Sequence, residues 1–344
     1  MHDSSIGVLA PLARVSGRNG LDPLAERLTD LRSWLATDLA GVDQALATDG
    51  DSGDLAARAA SYLLARPGKR IRPLCVVIAA RLGGRPADPT VRNLAAACEL
   101  VHAATLLHDD VIDQGDERRG VPAARVVYGN SASILAGDHL LVEALRRVRR
   151  TGITGLLDGM LDVIAGMVQA EARQLEQRGR FEPIRQAYEA VVQGKTAALF
   201  RWGLRAGGTA AGLGEDALSA LDDVGLHFGM AFQLVDDVLD LDGDPAETGK
   251  STLTDLREGK LTWPLILASE RDDALLADLK AGIESGEPPR GMVERICATG
   301  ALAATRSKAA DHAGAARLRL EALPPSQARR ALAAVVEATA ARTR

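Results

Sequence analysis

VRNLAAACELVHAATLLHDDVID, residues 91–113, is the stretch on which the fold turns. Its apolar residues recur at three- and four-residue steps, the period of a helix with one buried face. The helix then runs straight into acid. Asp109, Asp110 and Asp113 are followed by Asp116 and Glu117 and closed by Arg118 and Arg119, so seven of the eleven residues from 109 to 119 are charged. Residues i and i+4 of a helix stand one above the other, so Asp109 and Asp113 project together. Three carboxylates on one turn repel each other unless a cation lies between them. A lone cluster of this kind could equally be a solvated helix end. A second copy shifts the balance: QLVDDVLDLDGD (233–244) repeats the DDxxD spacing with Asp236, Asp237 and Asp240, again after an apolar helix.

The helical period continues outward in both directions. It is read in 24–46, 131–150, 155–177, 181–204 and 215–241, with breaks where Gly and Pro gather, at RPGKR, LGGRPADP, GGTAAGLG, SGEPPRG and LPPS. No run alternates at period two and no fixed-period repeat is present. The expected fold is all-α: about a dozen helices in a single large bundle with a central cavity. Residues 1–22 read as a flexible tail and 23–344 as one domain. Aromatic residues are 3% of the chain, which suits packed helices better than sheets.

Lys and Arg total 41 against 46 Asp and Glu, so the net charge of −5 excludes a bulk attraction to nucleic acid. Any anionic ligand must be met by local bases. Cys75, Cys98 and Cys297 are scattered, which suits a reduced chain better than a disulfide or zinc framework. The first twenty residues lack the pattern of a secretion signal, and no segment reaches the apolar length of a membrane span. The expected location is the cytoplasm.

Oxygen donors without His or Cys beside them suit Mg²⁺, which keeps waters and completes its shell with phosphate oxygens. Basic residues then acquire a purpose: Lys69, Arg70 and Arg72 in GKRIRP, Arg118 and Arg119, Lys195 in QGKTAALF, and Lys250 and Lys260 after the second acidic cluster. Arginine forks match phosphate oxygens in pairs, and lysine adds a point charge. Two echoes of a nucleotide-binding P-loop, GKT at 194–196 and GKS at 249–251, fail because Glu189 and Asp244 stand where its first glycine belongs. His102 and His108-Asp109 could suggest a histidine-dependent phosphohydrolase, but that reading leaves the second DDxxD without work.

From GKRIRP through ELVHAATLLHDDVIDQGDERRG, GKTAALF and FQLVDDVLDLDGD to ETGKSTLTDLREGKLTWPLI, roughly residues 60–270, the chain resembles the trans-isoprenyl diphosphate synthases of the polyprenyl synthetase family. The resemblance implies a prenyltransferase that joins isopentenyl diphosphate to an allylic diphosphate with Mg²⁺, about three ions per site in the family's pattern. It implies that Asp109, Asp113 and Asp236 bind metal, with Asp110, Asp237 and Asp240 assisting. Lys69, Arg72, His102 and Arg119 would hold isopentenyl diphosphate. Arg118, Lys195, Thr196, Gln233, Lys250 and Lys260 would surround the allylic diphosphate, with Lys195 also counted as catalytic. A homodimer is implied as well.

In this family a tunnel for the growing product runs back along the helix that ends in the first DDxxD. Counting backward from Asp109 leads to Thr105 or Ala104, then Val101, then Ala97. None is bulky, so the expected product is long, about C30 to C50, with geranylgeranyl length as the alternative. Other readings on the same fold are a terpene cyclase, which would not need two DDxxD motifs, and a regulatory subunit, which would not keep both. Pro67 stands where the family has the first Gly of GGKR, and LVEALRRVRR (141–150) is unusually basic.

Overall fold

The computed structural model describes residues 9–18, 20–47, 53–66, 68–242, 253–284 and 291–342. Helices dominate. In chain order they are α1 (Leu9–Arg18), α2 (Asp22–Leu46), α3 (Leu55–Leu64), α4 (Ile71–Leu82) and α5 (Pro89–Ile112). After them come α6 (Ala124–Tyr128), α7 (Asn130–Arg150), α8 (Leu156–Gln177), α9 (Arg185–Val192), a π-helical turn (Gln193–Ala197), α10 (Ala198–Ala210) and α11 (Glu215–Asp242). The chain ends with α12 (Thr254–Arg257), α13 (Trp263–Arg271), α14 (Leu275–Glu284), α15 (Met292–Ala298), α16 (Ala301–Glu321) and α17 (Gln327–Ala340). One feature departs from the all-helical expectation. Glu117–Arg118 and Val121–Pro122 pair antiparallel as a two-residue ladder, β1 and β2, which folds the RRG turn back on itself.

Local chemistry starts the helices where the sequence allows. Asp88 accepts a hydrogen bond from the Val91 N–H (3.0 Å) and Pro89 opens the first turn of α5, a position where its missing N–H costs nothing. Asp54 caps α3 and Ser326 caps α17 in the same way. Within 1–22, expected to be a flexible tail, Leu9–Arg18 is helical and lays Leu9 and Leu12 into the core. Their three-residue spacing gives even this short segment a buried stripe.

α4, α5 and α10 form the centre, with α7 against α5 and α11 against α10. Ser133 donates to the Leu107 carbonyl (2.8 Å), which fixes the start of α7 beside the end of α5, so the two helices run antiparallel. Close approach decides the other crossing. A Cβ on Gly229 would lie 2.4 Å from the Ala197 Cα, so only glycine lets α11 seat against the π turn. The rings of Phe200 and Phe228, both without exposed surface, meet at 4.8 Å between centroids. Each such ring contributes about 1.5–3 kcal/mol by leaving water. The far half of α11 packs instead into a second cluster with α13, α15 and α16. α11 therefore belongs to both cores and carries the second DDxxD at their junction.

Candidate active site

α5, α8, α9, the π turn, α11 and the segment around α12 converge on a cavity of ≈ 520 Å³. Asp109 and Asp113 enter it from α5, and Asp236, Asp237 and Asp240 from α11. Lys69, Arg118, Lys195, Thr196, Gln233 and Lys260 share its wall. Asp110 does not. It is buried at 1% exposure and accepts from both Nε (2.8 Å) and Nη2 (2.5 Å) of Arg118. Lys250 lies outside the described residues.

The carboxylates of α5 are met by cations from three other elements. Lys195 lies 3.4 Å from Asp109 and also contacts Glu171 and Gln174 of α8. Asp113 takes Lys260 (2.8 Å) on one oxygen and Arg178, just past α8, on the other. Burial works to raise both acids. It prevails at Asp109, while Lys260 and Arg178 hold Asp113 below the usual carboxylate range.

On α11 the acids are held differently. Asp237 accepts from Tyr188 Oη (2.5 Å), Gln233 Nε2 (2.9 Å) and the Trp263 N–H (3.3 Å). Gln233 in turn accepts from Thr196 Oγ1 (2.9 Å), which links the π turn to this network. Burial, reinforced by the charge of Asp255, pushes Asp237 up to about 7 despite those donors. Asp240 accepts the backbone N–H groups of Thr254 (3.1 Å) and Asp255 (3.3 Å). Asp236 meets Arg342, beyond α17, at 3.1 Å.

Arg72, His102 and Arg119, unlike Lys69, are not in the wall of this cavity. The guanidinium of Arg72 lies over the Phe200 ring at 4.6 Å. Burial, together with the charges of Arg72, Arg119 and Arg118, pushes His102 well below its ordinary range, so its imidazole is neutral. The expected tunnel residues do not line this cavity. Ala97, Val101 and Ala104 have no exposed surface, and Thr105 Oγ1 donates to the His102 carbonyl (2.8 Å). Steps of four residues overshoot a helical turn by about 40° each, so three steps leave the face of Asp109 by about 120°. Leu106, three residues before Asp109, lines the cavity.

Among the described residues no three Asp, Glu, His or Cys side chains close into a metal cage. Carboxylates opened onto a cavity, with no His or Cys among them, suit a hard cation that keeps water and takes phosphate oxygens. They do not suit zinc. Sequence reasoning missed Glu171, Gln174, Arg178, Tyr188 and Arg342. The spacing of 171, 174 and 178 marks a polar stripe on α8 that could have been noticed; nothing local marks Arg342.

The polyprenyl synthetase family matches residues 54–299. Octaprenyl diphosphate synthase of Escherichia coli is 35% identical over 313 residues, 89% of this chain and 96% of that one. Nonaprenyl diphosphate synthase of Mycobacterium tuberculosis is 37% identical over 287 residues, 82% of this chain and 85% of its own. The crystal structure of a polyprenyl synthase from Caulobacter crescentus complexed with calcium and isoprenyl diphosphate superposes with a TM-score of 0.84 at 36% identity, covering 91% of this chain and 97% of that one. Sequence and fold agree over most of the chain, which therefore belongs to the polyprenyl synthetase family, the trans-prenyltransferases.

Proposed function

We propose that the protein condenses isopentenyl diphosphate with an allylic diphosphate, with Mg²⁺, to give a long all-trans polyprenyl diphosphate. One observation carries this reading: acids of both DDxxD motifs and three lysines line the same cavity. Asp109, Asp113 and Asp236 are the metal-holding residues in this reading, with Asp237 and Asp240 keeping the second turn in place and Asp110 orienting Arg118. Bound Mg²⁺ supplies neutralisation of the charge that grows on a departing diphosphate.

Arg118, Lys195, Thr196, Gln233 and Lys260, with Lys250 by its motif, present donors to the allylic diphosphate. As its C–O bond ionises, their fixed charges and dipoles face the negative charge that develops, at no cost of reorganisation. Lys69, Arg72, His102 and Arg119 hold isopentenyl diphosphate on the other side, with the His102 ring as a further donor. The double bond attacks the allylic cation, and a proton passes to the released diphosphate. Leu106, Val191, Val192 and Leu239 give the cavity an apolar wall that keeps water from the cation.

The octaprenyl and nonaprenyl synthases among its relatives support a long product. Exposed Leu161, Ala165, Val168, Ala172 and Leu175 repeat at alternating steps of four and three along α8, and Leu135 and Val142 of α7 are exposed as well. Such an apolar stripe fits a second copy of the chain, hence a homodimer. No helix among the described residues is long and apolar enough to cross a membrane. Incubation with labelled isopentenyl diphosphate, Mg²⁺ and each allylic primer, read by chromatography, is expected to give a long product. Leu106→Trp is expected to shorten it. No product with any primer would defeat the reading, and short product alone would defeat its length.

A further inference from the structure

We infer that Glu99 is a positioning residue for the isopentenyl diphosphate pocket, anchoring Arg119 and the GKRIRP turn from beneath. The inference rests on the assignment of Lys69, Arg72 and Arg119 to that diphosphate. Glu99 lies on α5, ten residues before Asp109, at 2% exposure. A carboxylate so buried is costly unless cations and donors surround it. One oxygen, Oε1, faces two arginines from distant loops: Arg70 Nη1 at 2.6 Å and Arg119 Nη2 at 4.0 Å.

Each arginine is itself built into its loop. Arg70 donates to the Leu64 carbonyl (3.1 Å) and adopts a left-handed φ of 48° immediately before α4. Lys69 precedes it and Arg72 follows two residues on, so the anchored Arg70 sets the placement of both. Arg119, at φ 56° in the β1–β2 turn, donates to the Arg66 carbonyl (3.0 Å). Its guanidinium lies so close over Gly68 that a Cβ there would be 2.8 Å from Nη2. The two loops therefore dock on each other through Arg119, with Glu99 below the joint.

Charge explains why the joint needs an acid. Arg70, Arg72, Arg118 and Arg119 all act on His102, so they share one small region and repel each other. Without a counter-charge these cations would swing outward. Glu99 holds Arg70 inward as a structural cation and leaves Arg72 and Lys69 to the ligand. Glu99 is not in the cavity wall. It acts through its arginines and has no reach to Lys195 or Lys260 on the allylic side.

Glu99→Gln keeps the shape and removes the charge. The expected result is a KM for isopentenyl diphosphate raised about tenfold, with the allylic KM within about twofold and kcat within about threefold. Because this change leaves the half-buried Arg70 without its carboxylate, Tm is expected to fall too. The double variant Glu99→Gln/Arg70→Gln removes that unpaired charge. It is expected to recover Tm while the isopentenyl diphosphate KM stays raised, since Arg119 has lost its counter-charge. Recovery of that KM together with Tm, or equal movement of both KM values in Glu99→Gln, overturns the inference. Arg119→Gln tests the pocket assignment separately: an unchanged isopentenyl diphosphate KM would remove the reading on which the inference rests.

Discussion

The two acid-rich helix ends spell the same DDxxD and are held by different sets of partners. At the end of α5, Asp109, Asp110 and Asp113 face Lys195, Arg118, Lys260 and Arg178. On α11, Asp237 rests on a phenol, an amide and a backbone N–H, Asp240 accepts backbone N–H groups, and Asp236 meets Arg342. Burial raises Asp109 in spite of Lys195 and raises Asp237 in spite of its donors, while Asp113, between Lys260 and Arg178, is held low. Identical motifs thus differ in what sets their protonation. At the first, cations decide the outcome at Asp113; at the second, burial and the charge of Asp255 outweigh the donors on Asp237.

Four experiments test that contrast. Asp109→Asn and Asp236→Asn should each cut kcat/KM by about 10³-fold or more in a labelled condensation assay at saturating Mg²⁺. A large loss in one and a small loss in the other would show that a single motif carries the chemistry. Lys260→Ala should cost about 10²-fold, because it removes a phosphate donor and the partner of Asp113 together. Asp113 would then rise in pKa, so the acid limb of the pH–rate profile should move to higher pH.

Tyr188→Phe should be milder, about tenfold near neutral pH. The Tyr188 hydrogen bond lowers an Asp237 that already stands at about 7, so its loss pushes that carboxyl higher still. Activity should return above the new pKa, and an unmoved profile would separate Asp237 from the reaction.

The smallest effect concerns the middle of α11, where His227 Nδ1 lies 3.0 Å from His312 Nδ1 of α16. Asp223 and Arg319 face this pair on one side, and Lys308, Glu189 and Asp311 on the other. Burial first, then the charges of His227 and Lys308, push His312 down from 6.5 to about 4. The folded chain prefers neutral imidazole, so stability is complete above pH 6.5 and is lost as pH falls towards 4. His312→Gln should flatten that loss by about 1–2 kcal/mol after allowance for partial exposure, read by denaturant titration across the range. A curve identical to that of the parent chain would mean the pair places no pH-dependent hold on the second acidic helix.

Much of this arrangement was legible in the residues themselves. Apolar periodicity placed α2, α5, α7, α8 and α11 to within two residues of their observed ends, because each buries a continuous face. The DDxxD spacing identified Asp109, Asp113, Asp236 and Asp240, since i and i+4 must share a side. What stayed hidden depends on distant chain segments. Arg178 and Arg342 reach the acids from helix ends where nothing local separates them from surface arginines. Along α5 behind Asp109, the expected Ala97, Val101 and Ala104 are packed inside the bundle, and Leu106 is the residue that lines the cavity. The helix expected over 181–204 conceals an irregularity that periodicity does not reveal, the π turn at 193–197.

That turn makes the length of this segment indispensable. A π turn holds one residue more than an α turn would, so everything after it is rotated by about 100° relative to a regular helix. Lys195 and Thr196 reach the cavity from within the turn, while Phe200 and Gly203 press into the opposite core just beyond it. Deleting any one residue between 193 and 197 would give a smoother helix with every side chain of α10 aimed at the wrong neighbour. A substitution there changes one contact; a shortened count changes all of them.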